Sequence, residues 1–458
     1  MDQNLTPALA EFVAGLEYEQ LPDDVVQQAK RVILDAIGCA MAAYKEDSRK
    51  AHIVEKLSRQ FGAAGESTVI GGGKSHASVV ALANGILINA ADNDDTHKRA
   101  LLHMGSVLLP AALAATEARG GSGRDLILAL VAGYEVAARV GMAVMPTHYR
   151  YWHSTATNGT FGAAACAAKA YGLDADQTNM ALGFAGTQAA GLNTFFESGD
   201  DSKSVHPGKA GMNGIIAAML AELGATSPPD ILGHPKGYLA AYSLEPKAEV
   251  VTAGLATDWE ILSNGFKFYP SILASHSPIG ASLEIASQKR PDVGKIRSVA
   301  INTYATVKSH FSSKDVQKSM AARLSVPYCV AAALVDGEVT QTQFRPERFN
   351  DPVIRRLLDK VEVVVDPELS PLYPEKFPAR VVVTMDDGTV HEATFLYPKG
   401  DPSNPLSHDE LVTKFKDNLE DVVDAERSAR LVALIDDLED IQVSELADCL
   451  ASQAAQIA

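Results

Sequence analysis

The run Gly162-Ala163-Ala164-Ala165-Cys166-Ala167-Ala168 holds no side chain larger than a thiol, and its reading decides the fold class. Alanine is the strongest helix former because it loses no side-chain entropy, so the run reads as helix. Small residues also let helix axes approach closely, which points to a tightly packed helical bundle. Outward from it, apolar spacing of helical period predicts helices near 76–93, 106–118, 124–145, 160–171, 176–187 and 209–223. Further upstream, Thr6-Pro7 reads as an N-cap followed by proline at the first helical position. After Pro22, the positions Val25, Val26, Ala29, Val32, Ile33, Ala36 and Ile37 repeat the helical spacing.

The texture changes after residue 268. Val299 to Tyr304 and Val361 to Val365 read as strands, and Ala379–Thr384 and Thr389–Phe395 flank Asp386-Asp387-Gly388 as a hairpin does. Helices are expected between them at 275–288, 322–336 and 345–360. The Pro/Gly-rich segment 397–405 reads as a crossing loop, after which helical periodicity returns at 408–418, 424–438 and 443–457. The expected architecture is therefore mainly α. Residues 1–268 with 404–458 form a large helical domain from both chain ends, and 269–403 form an inserted, smaller α+β lid domain.

Composition narrows the function. The chain of 458 residues carries 40 basic and 57 acidic side chains, a net charge of −17. Such a surface repels phosphate backbones and anionic lipid, so neither nucleic acid nor membrane is expected as partner. A basic pocket for a small anion remains compatible with it. Cys39, Cys166, Cys329 and Cys449 are scattered in apolar contexts with no C-x-x-C pair. They read as buried thiols, with no disulfide framework, zinc site or iron–sulfur ligation, which suits a reducing, cytoplasmic setting. Met1-Asp2-Gln3-Asn4 lacks the basic and apolar regions of a secretory signal. The apolar stretch Leu126–Met145 is interrupted by Glu135 and Arg139, which marks a core helix.

Gly71-Gly72-Gly73-Lys74-Ser75 invites a phosphate-loop reading, but Thr68 stands where the first glycine is required, so a plain turn before a helix is expected. No H-E-x-x-H, G-x-S-x-G or strand–G-x-G-x-x-G–helix unit is present. The remaining constellation is Asp92-Asn93-Asp94-Asp95-Thr96, followed by His103. Three carboxylates within four residues repel, so they are either a solvated helix end or a crowded acid/base site with shifted pKa values. Elsewhere, His153, the Lys203…His206…Lys209 stretch, and Lys267 with His276 each read as lying beside a helix start. Free N–H groups already favour anions there. Loops sharing this habit suggest convergence on a carboxylate-bearing ligand.

Ala83-Asn84-Gly85…Asp92-Asn93-Asp94-Asp95-Thr96…His103 resembles the NG-x-x-x-H-x-x-D-F-D-D-[ST]…H-P segment of the MmgE/PrpD family, which includes 2-methylcitrate dehydratases, cis-aconitate decarboxylases and iminodisuccinate epimerases. The resemblance continues through His153, Lys203…His206-Pro207-Gly208-Lys209, Phe266-Lys267-Phe268-Tyr269-Pro270-Ser271…His276 and Tyr328. It implies a helical domain with an α+β lid, a homodimer, and site residues at Asp92, Thr96, His103, His153, Lys203, Lys267 and Tyr328. Asn89 replaces the usual His, Asn93 the usual aromatic, one extra residue separates Thr96 from His103, and Ile272 stands where decarboxylases have His and many members Cys.

Reactions of such a family place negative charge on carbon beside a carboxylate, and fixed cations stabilise that charge selectively. Lys203 and Lys267 are the candidate cations. His153 or His103 is the candidate base, with an ordinary pKa near 6.5. Asp92 orients an imidazole or acts as base, and Thr96 and Tyr328 bind or protonate a leaving hydroxyl. His206, Lys209 and His276 are expected to bind substrate. No metal or cofactor is expected; a cation at Asp92, Asp94 and Asp95 is disfavoured because no D-x-D-x-D-G loop is present. The resulting expectation is a hydro-lyase acting on a small di- or tricarboxylate such as 2-methylcitrate. A dicarboxylate epimerase ranks second, a cis-aconitate-type decarboxylase third, and a non-catalytic carboxylate binder last.

Overall fold

The computed structural model describes residues 4–62, 65–198 and 200–451. It divides into two compact units, Met1–Asn264 with Ser407–Ala458, and Gly265–Leu406. The chain is mainly α with one small part built on a sheet, as its patterning predicts.

In the first unit, the helices Ala77–Asn89, Gly105–Ala118, Gly123–Val144, Ser154–Ala170 and Ser202–Glu222 pack on one another. Small residues set how closely they cross. A Cβ on Gly85 would lie 2.5 Å from the Gly208 Cα, so these two glycines are what allow Ala77–Asn89 to touch Ser202–Glu222 backbone to backbone. Gly123–Val144 is long and apolar enough to cross a membrane, yet 94% of its apolar 18-residue window is buried inside the protein. Its charges are internally matched, with Arg139 3.1 Å from Glu135 one turn away. The helix His408–Leu419 packs against Asp23–Glu46, so both ends of the chain build this unit.

The second unit contains a four-stranded sheet in the order Val361–Val365, Ile296–Thr303, Ala379–Met385, Val390–Phe395. The first pair is parallel, with Val299 opposite Val361, and the other two are antiparallel. The helices His276–Lys289 and Val326–Asp336 contribute Ile279, Ile285 and Val330 to a core shared with Val299, Ile301, Val381 and Val383. Alternation along Ala379–Met385 is strict, every second residue being buried, which fixes its register.

Several boundaries differ from the sequence expectation for local reasons. Thr6 lies inside the first helix, Leu5–Gly15, because its hydroxyl hydrogen-bonds Asp230 instead of capping. The segment expected at 322–336 divides at Ser325, whose side chain caps Val326–Asp336 with Pro327 in the first turn. The segment expected at 345–360 divides likewise into Pro346–Phe349 and Pro352–Leu358, each opened by proline. Gly71–Gly73 form the turn between the short paired strands Ser67–Thr68 and Lys74–Ser75. The last helix runs Val443–Leu450; the rest of the stretch expected to 457 lies, beyond residue 451, outside the described residues.

Candidate active site

Helix Ala77–Asn89 delivers the acidic segment. It ends at Asn89, and Asp92 then takes φ of 53°, a left-handed conformation that aspartate tolerates better than most residues. The turn buries all of Asp92, Asn93, Asp94 and Asp95, so this is no solvated helix end.

Each buried carboxylate meets a different partner. Asp92 Oδ1 accepts from Lys203 Nζ at 2.5 Å. Asp94 is clasped by the Asn89 amide, whose Nδ2 donates to both carboxylate oxygens at 3.0 and 2.8 Å. Asp95 accepts from the Tyr134 hydroxyl at 2.5 Å, Asn264 Nδ2 at 2.7 Å and the Gly105 N–H at 2.7 Å. A Cβ on Gly105 would sit 2.8 Å from Asp95 Oδ1, so glycine is what admits that last bond. Burial raises Asp95 to about 7, reinforced by Asp94 and Asp35 and opposed by the Tyr134 hydrogen bond. From below, the Asn93 carbonyl accepts from Lys414 Nζ at 2.8 Å, and Lys414 pairs with Asp35 at 2.6 Å.

Three histidines stand beside these acids. His103 Nδ1 is 3.0 Å from the Asp95 carbonyl, 3.3 Å from Thr96 Oγ1 and 3.6 Å from Asp94 Oδ2. A carbonyl only accepts, so Nδ1 carries the hydrogen and a neutral His103 keeps its lone pair on Nε2. The His103 ring stands edge-on to His153, with centroids 6.5 Å apart. His153 immediately precedes Ser154–Ala170, and its Nδ1 lies 2.9 Å from Nδ1 of His206. Two neutral rings share a single hydrogen across such a contact: one nitrogen donates and the other accepts. Burial drives His153 well below its ordinary 6.5, and His206, Lys203 and His103 add to it. Burial also brings His206 to about 4, with help from Lys209 and Lys203. Both rings are therefore uncharged at neutral pH, and Phe195 packs edge-on against each.

Lys203, His206 and Lys209 were expected ahead of a helix beginning near 209. They instead occupy the first turns of Ser202–Glu222, with Pro207 inside the helix. Helical spacing places Lys203 and His206 on one side, three residues apart. Lys209 turns elsewhere and donates to the Ala190 carbonyl at 2.9 Å. The first unit thus gathers Asp92, Thr96, His103, His153, Lys203 and His206.

The second unit holds Lys267, His276 and Tyr328, all buried. His276 opens the helix His276–Lys289, with Nε2 3.3 Å from the Ser271 carbonyl and its ring against Tyr269. Tyr328 donates its hydroxyl to the Gln343 carbonyl within that unit's core, so its proton is already engaged. Ile272 packs on the same core, and its N–H donates to the Arg323 carbonyl at 3.0 Å.

Residues missed from sequence include Tyr134, Asn264 and Lys414. Tyr134 was legible in principle: a lone hydroxyl in a buried apolar helix needs a partner. Lys414 and Asn264 carry no such local signal. Asp92, Asp94 and His103 each present one atom capable of holding a cation, mutually within 4.8 Å. Lys203 and Asn89 already face the first two.

The family model for the MmgE/PrpD N-terminal domain matches residues 7–251, and that for the MmgE/PrpD C-terminal domain matches 269–440. The chain is 31% identical to the cis-aconitate decarboxylase-like protein oryM of Aspergillus oryzae, covering 97% of this chain and 96% of the relative. It is 29% identical to a cis-aconitate decarboxylase of Aspergillus terreus, covering 97% and 96% respectively. With the human cis-aconitate decarboxylase the identity is 28%, covering 96% and 93%.

Proposed function

The chain belongs to the MmgE/PrpD family, and from that premise we propose that it is a lyase that decarboxylates cis-aconitate or a closely similar tricarboxylate. The supporting observation is the convergence of Lys203, on Asp92, with His103 and His153 in one buried cluster. Its full-length relatives named as decarboxylases move this reading ahead of the dehydration expected from sequence.

In this reading the Lys203 ammonium, anchored through one N–H by Asp92, offers its others to a substrate carboxylate. Loss of CO₂ leaves the bonding electron pair on carbon, conjugated with the remaining unsaturated carboxylate. The fixed ammonium stabilises that charge more as it develops than before, which is the condition for catalysis. Carbon then takes a proton from an imidazole. Ile272 supplies none, so the duty falls on His103 or on the His153–His206 pair, where one ring gives its outer N–H to carbon, receives the hydrogen shared between the rings, and its partner takes up a solvent proton at its own outer nitrogen.

A second reading, hydro-lyase action on a substrate such as 2-methylcitrate, is favoured by Thr96. His103 Nδ1–H lies between the Asp95 carbonyl and the Thr96 oxygen and leaves no lone pair at Nδ1, so the Thr96 hydroxyl keeps its own hydrogen for a departing hydroxyl group. One experiment separates the two. Purified protein is incubated with cis-aconitate, citrate and 2-methylcitrate while CO₂ release and new alkene are followed. CO₂ from cis-aconitate supports the first reading, and alkene from 2-methylcitrate without CO₂ supports the second. Deuterium incorporation with neither product rejects both.

A further inference from the structure

The glycine turn that is no phosphate loop borders a cavity in the helical unit. The cavity measures about 600 Å³, inside the range that accepts drug- or nucleotide-sized molecules. Met41, Tyr44, Val69 and Val422 give it an apolar wall, and Lys45, Arg59, Lys74 and Arg427 face it with only Glu55 and Asp421 opposing them. In a chain of net charge −17, a local excess of cations is a departure from the rest of the surface.

The four cations are not equally engaged. Arg59 is paired with Glu55 at 2.7 Å, and Lys74 with Glu117 at 3.3 Å. Lys45 instead donates to the carbonyls of Asp417 and Glu420, and Arg427 to those of Cys449 and Ala451. Those acceptors are neutral, so both charges stay uncompensated by them.

The three glycines also differ. Gly71 has φ of 72°, and a Cβ on it would strike the Tyr44 ring. On Gly72 a Cβ would press Val69 at 3.1 Å. Gly73 has neither constraint: its φ lies outside the left-handed region, and nothing stands within 4 Å of where its Cβ would be. Bare backbone open to a cavity is what close approach of a ligand uses.

We propose that this cavity binds an organic anion of about nucleotide size. A phosphate or carboxylate head lies among Lys45, Lys74 and Arg427 beside Gly73, and an apolar body lies on Met41, Tyr44 and Val422. The occupant would touch helix Asp23–Glu46 and residues just beyond His408–Leu419, the two helices whose Asp35, Cys39 and Lys414 gather at the Asn93 carbonyl.

The test is calorimetric titration of the full chain with AMP, octanoate and inorganic phosphate. We expect AMP or octanoate to bind with Kd of about 1 mM or tighter. AMP over octanoate identifies a phosphate head, and the reverse a carboxylate. Affinity should fall at least about tenfold in Lys74→Gln/Arg427→Gln, the loss of charge-assisted hydrogen bonds. It should disappear in Gly73→Val and persist in Lys203→Ala. Gly73→Ala, adding one methyl to open space, replaces the valine variant should that fail to fold. The proposal is overturned if neither organic anion binds, if binding survives filling at Gly73, or if Lys203→Ala abolishes it. That last result would place the ligand at the acidic cluster.

Discussion

Two buried lysine–aspartate pairs in the helical unit have nearly the same geometry and different surroundings. Lys414–Asp35 closes at 2.6 Å and Lys203–Asp92 at 2.5 Å. Lys414 also donates to the Asn93 carbonyl, so one ammonium ties the helices Asp23–Glu46 and His408–Leu419 to the acidic segment. Burial alone would push Lys414 toward neutrality, but Asp35 and its neighbours outweigh that and its pKa is raised. Lys203 sits among three histidines and against an aspartate in left-handed backbone. Burial of an ion pair therefore says little about its task. What decides is whether the protein itself saturates the cation or surrounds it with groups that can move protons.

The largest expected effect breaks the first pair. Lys414→Met should cost about 3–5 kcal/mol of stability, since Asp35 is left buried without its counter-charge. Turnover per folded molecule should stay within a few-fold of the parent. Urea unfolding followed by assay at matched folded fraction checks both halves. A stable but inactive Lys414→Met would erase the contrast with Lys203.

Next comes the second pair. Lys203→Met should lower kcat by about 10²–10³, the usual cost of removing one fixed donor aimed at developing charge. Its stability loss should be smaller than that of Lys414→Met, because Lys203 ties fewer segments together. Steady-state kinetics on whichever substrate proves active, with melting curves alongside, makes the comparison directly. Equal stability losses and unchanged kcat would make the two pairs alike.

Asp95 sharpens the same contrast from the side of the acids. Its three donors position the start of Gly105–Ala118, and Asp95→Asn turns an amide N–H₂ toward at least one of them, at a cost of about 1–3 kcal/mol. The carboxyl is raised to about 7 in the folded protein, so its stabilising contribution is full below the unfolded value near 3.8 and is lost as pH rises through 7. The penalty of Asp95→Asn should therefore shrink between pH 5 and pH 8. Urea melts at both values test this, and a penalty that grows with pH would contradict the raised pKa.

The chemistry of these groups was more legible in the sequence than their arrangement. Alanine- and glycine-rich runs specified a close-packed helical unit because small residues act locally, and Gly85 against Gly208 shows the consequence. Alternation in 379–385 and the Asp-Gly turn announced the hairpin for the same reason. The crowding of Asp92, Asp94 and Asp95 was visible too. The partners of Asp92 and Asp95 were not, since Lys203 and Asn264 lie more than a hundred residues away along the chain, as does Lys414, which holds the Asn93 carbonyl between them. The helix expected near 209–223 begins at Ser202, so Pro207 falls inside it. It lies about a turn and a half inside, where the helix tolerates it at a local cost in hydrogen bonding. Tyr328 is a candidate donor only through the family resemblance, and tertiary packing engages its hydroxyl with the Gln343 carbonyl.

The smallest effect concerns the histidine pair that sets Lys203 apart from Lys414. His206 titrates near 4, and burial pushes His153 well down as well, both from an unfolded value near 6.5. The unfolded chain thus binds more protons between those limits, so the stability that these rings lend above pH 6.5 is lost as pH falls toward 4. For His206, only partly buried, that amounts to about 2 kcal/mol after allowing for solvent screening. His206→Gln should flatten this acid limb, so that its stability relative to the parent rises by about 2 kcal/mol between pH 8 and pH 4. It should also lower kcat about tenfold, the low end of what a positioned proton-transfer group contributes. A merely structural His206 would shift the melting curve without slowing turnover, whereas a proton-transfer partner of His153 slows turnover and is rescued by added imidazole in His206→Gly. Rescue in that variant, with none in Lys414→Met, would assign proton movement to the neighbourhood of one lysine–aspartate pair and architecture to the other.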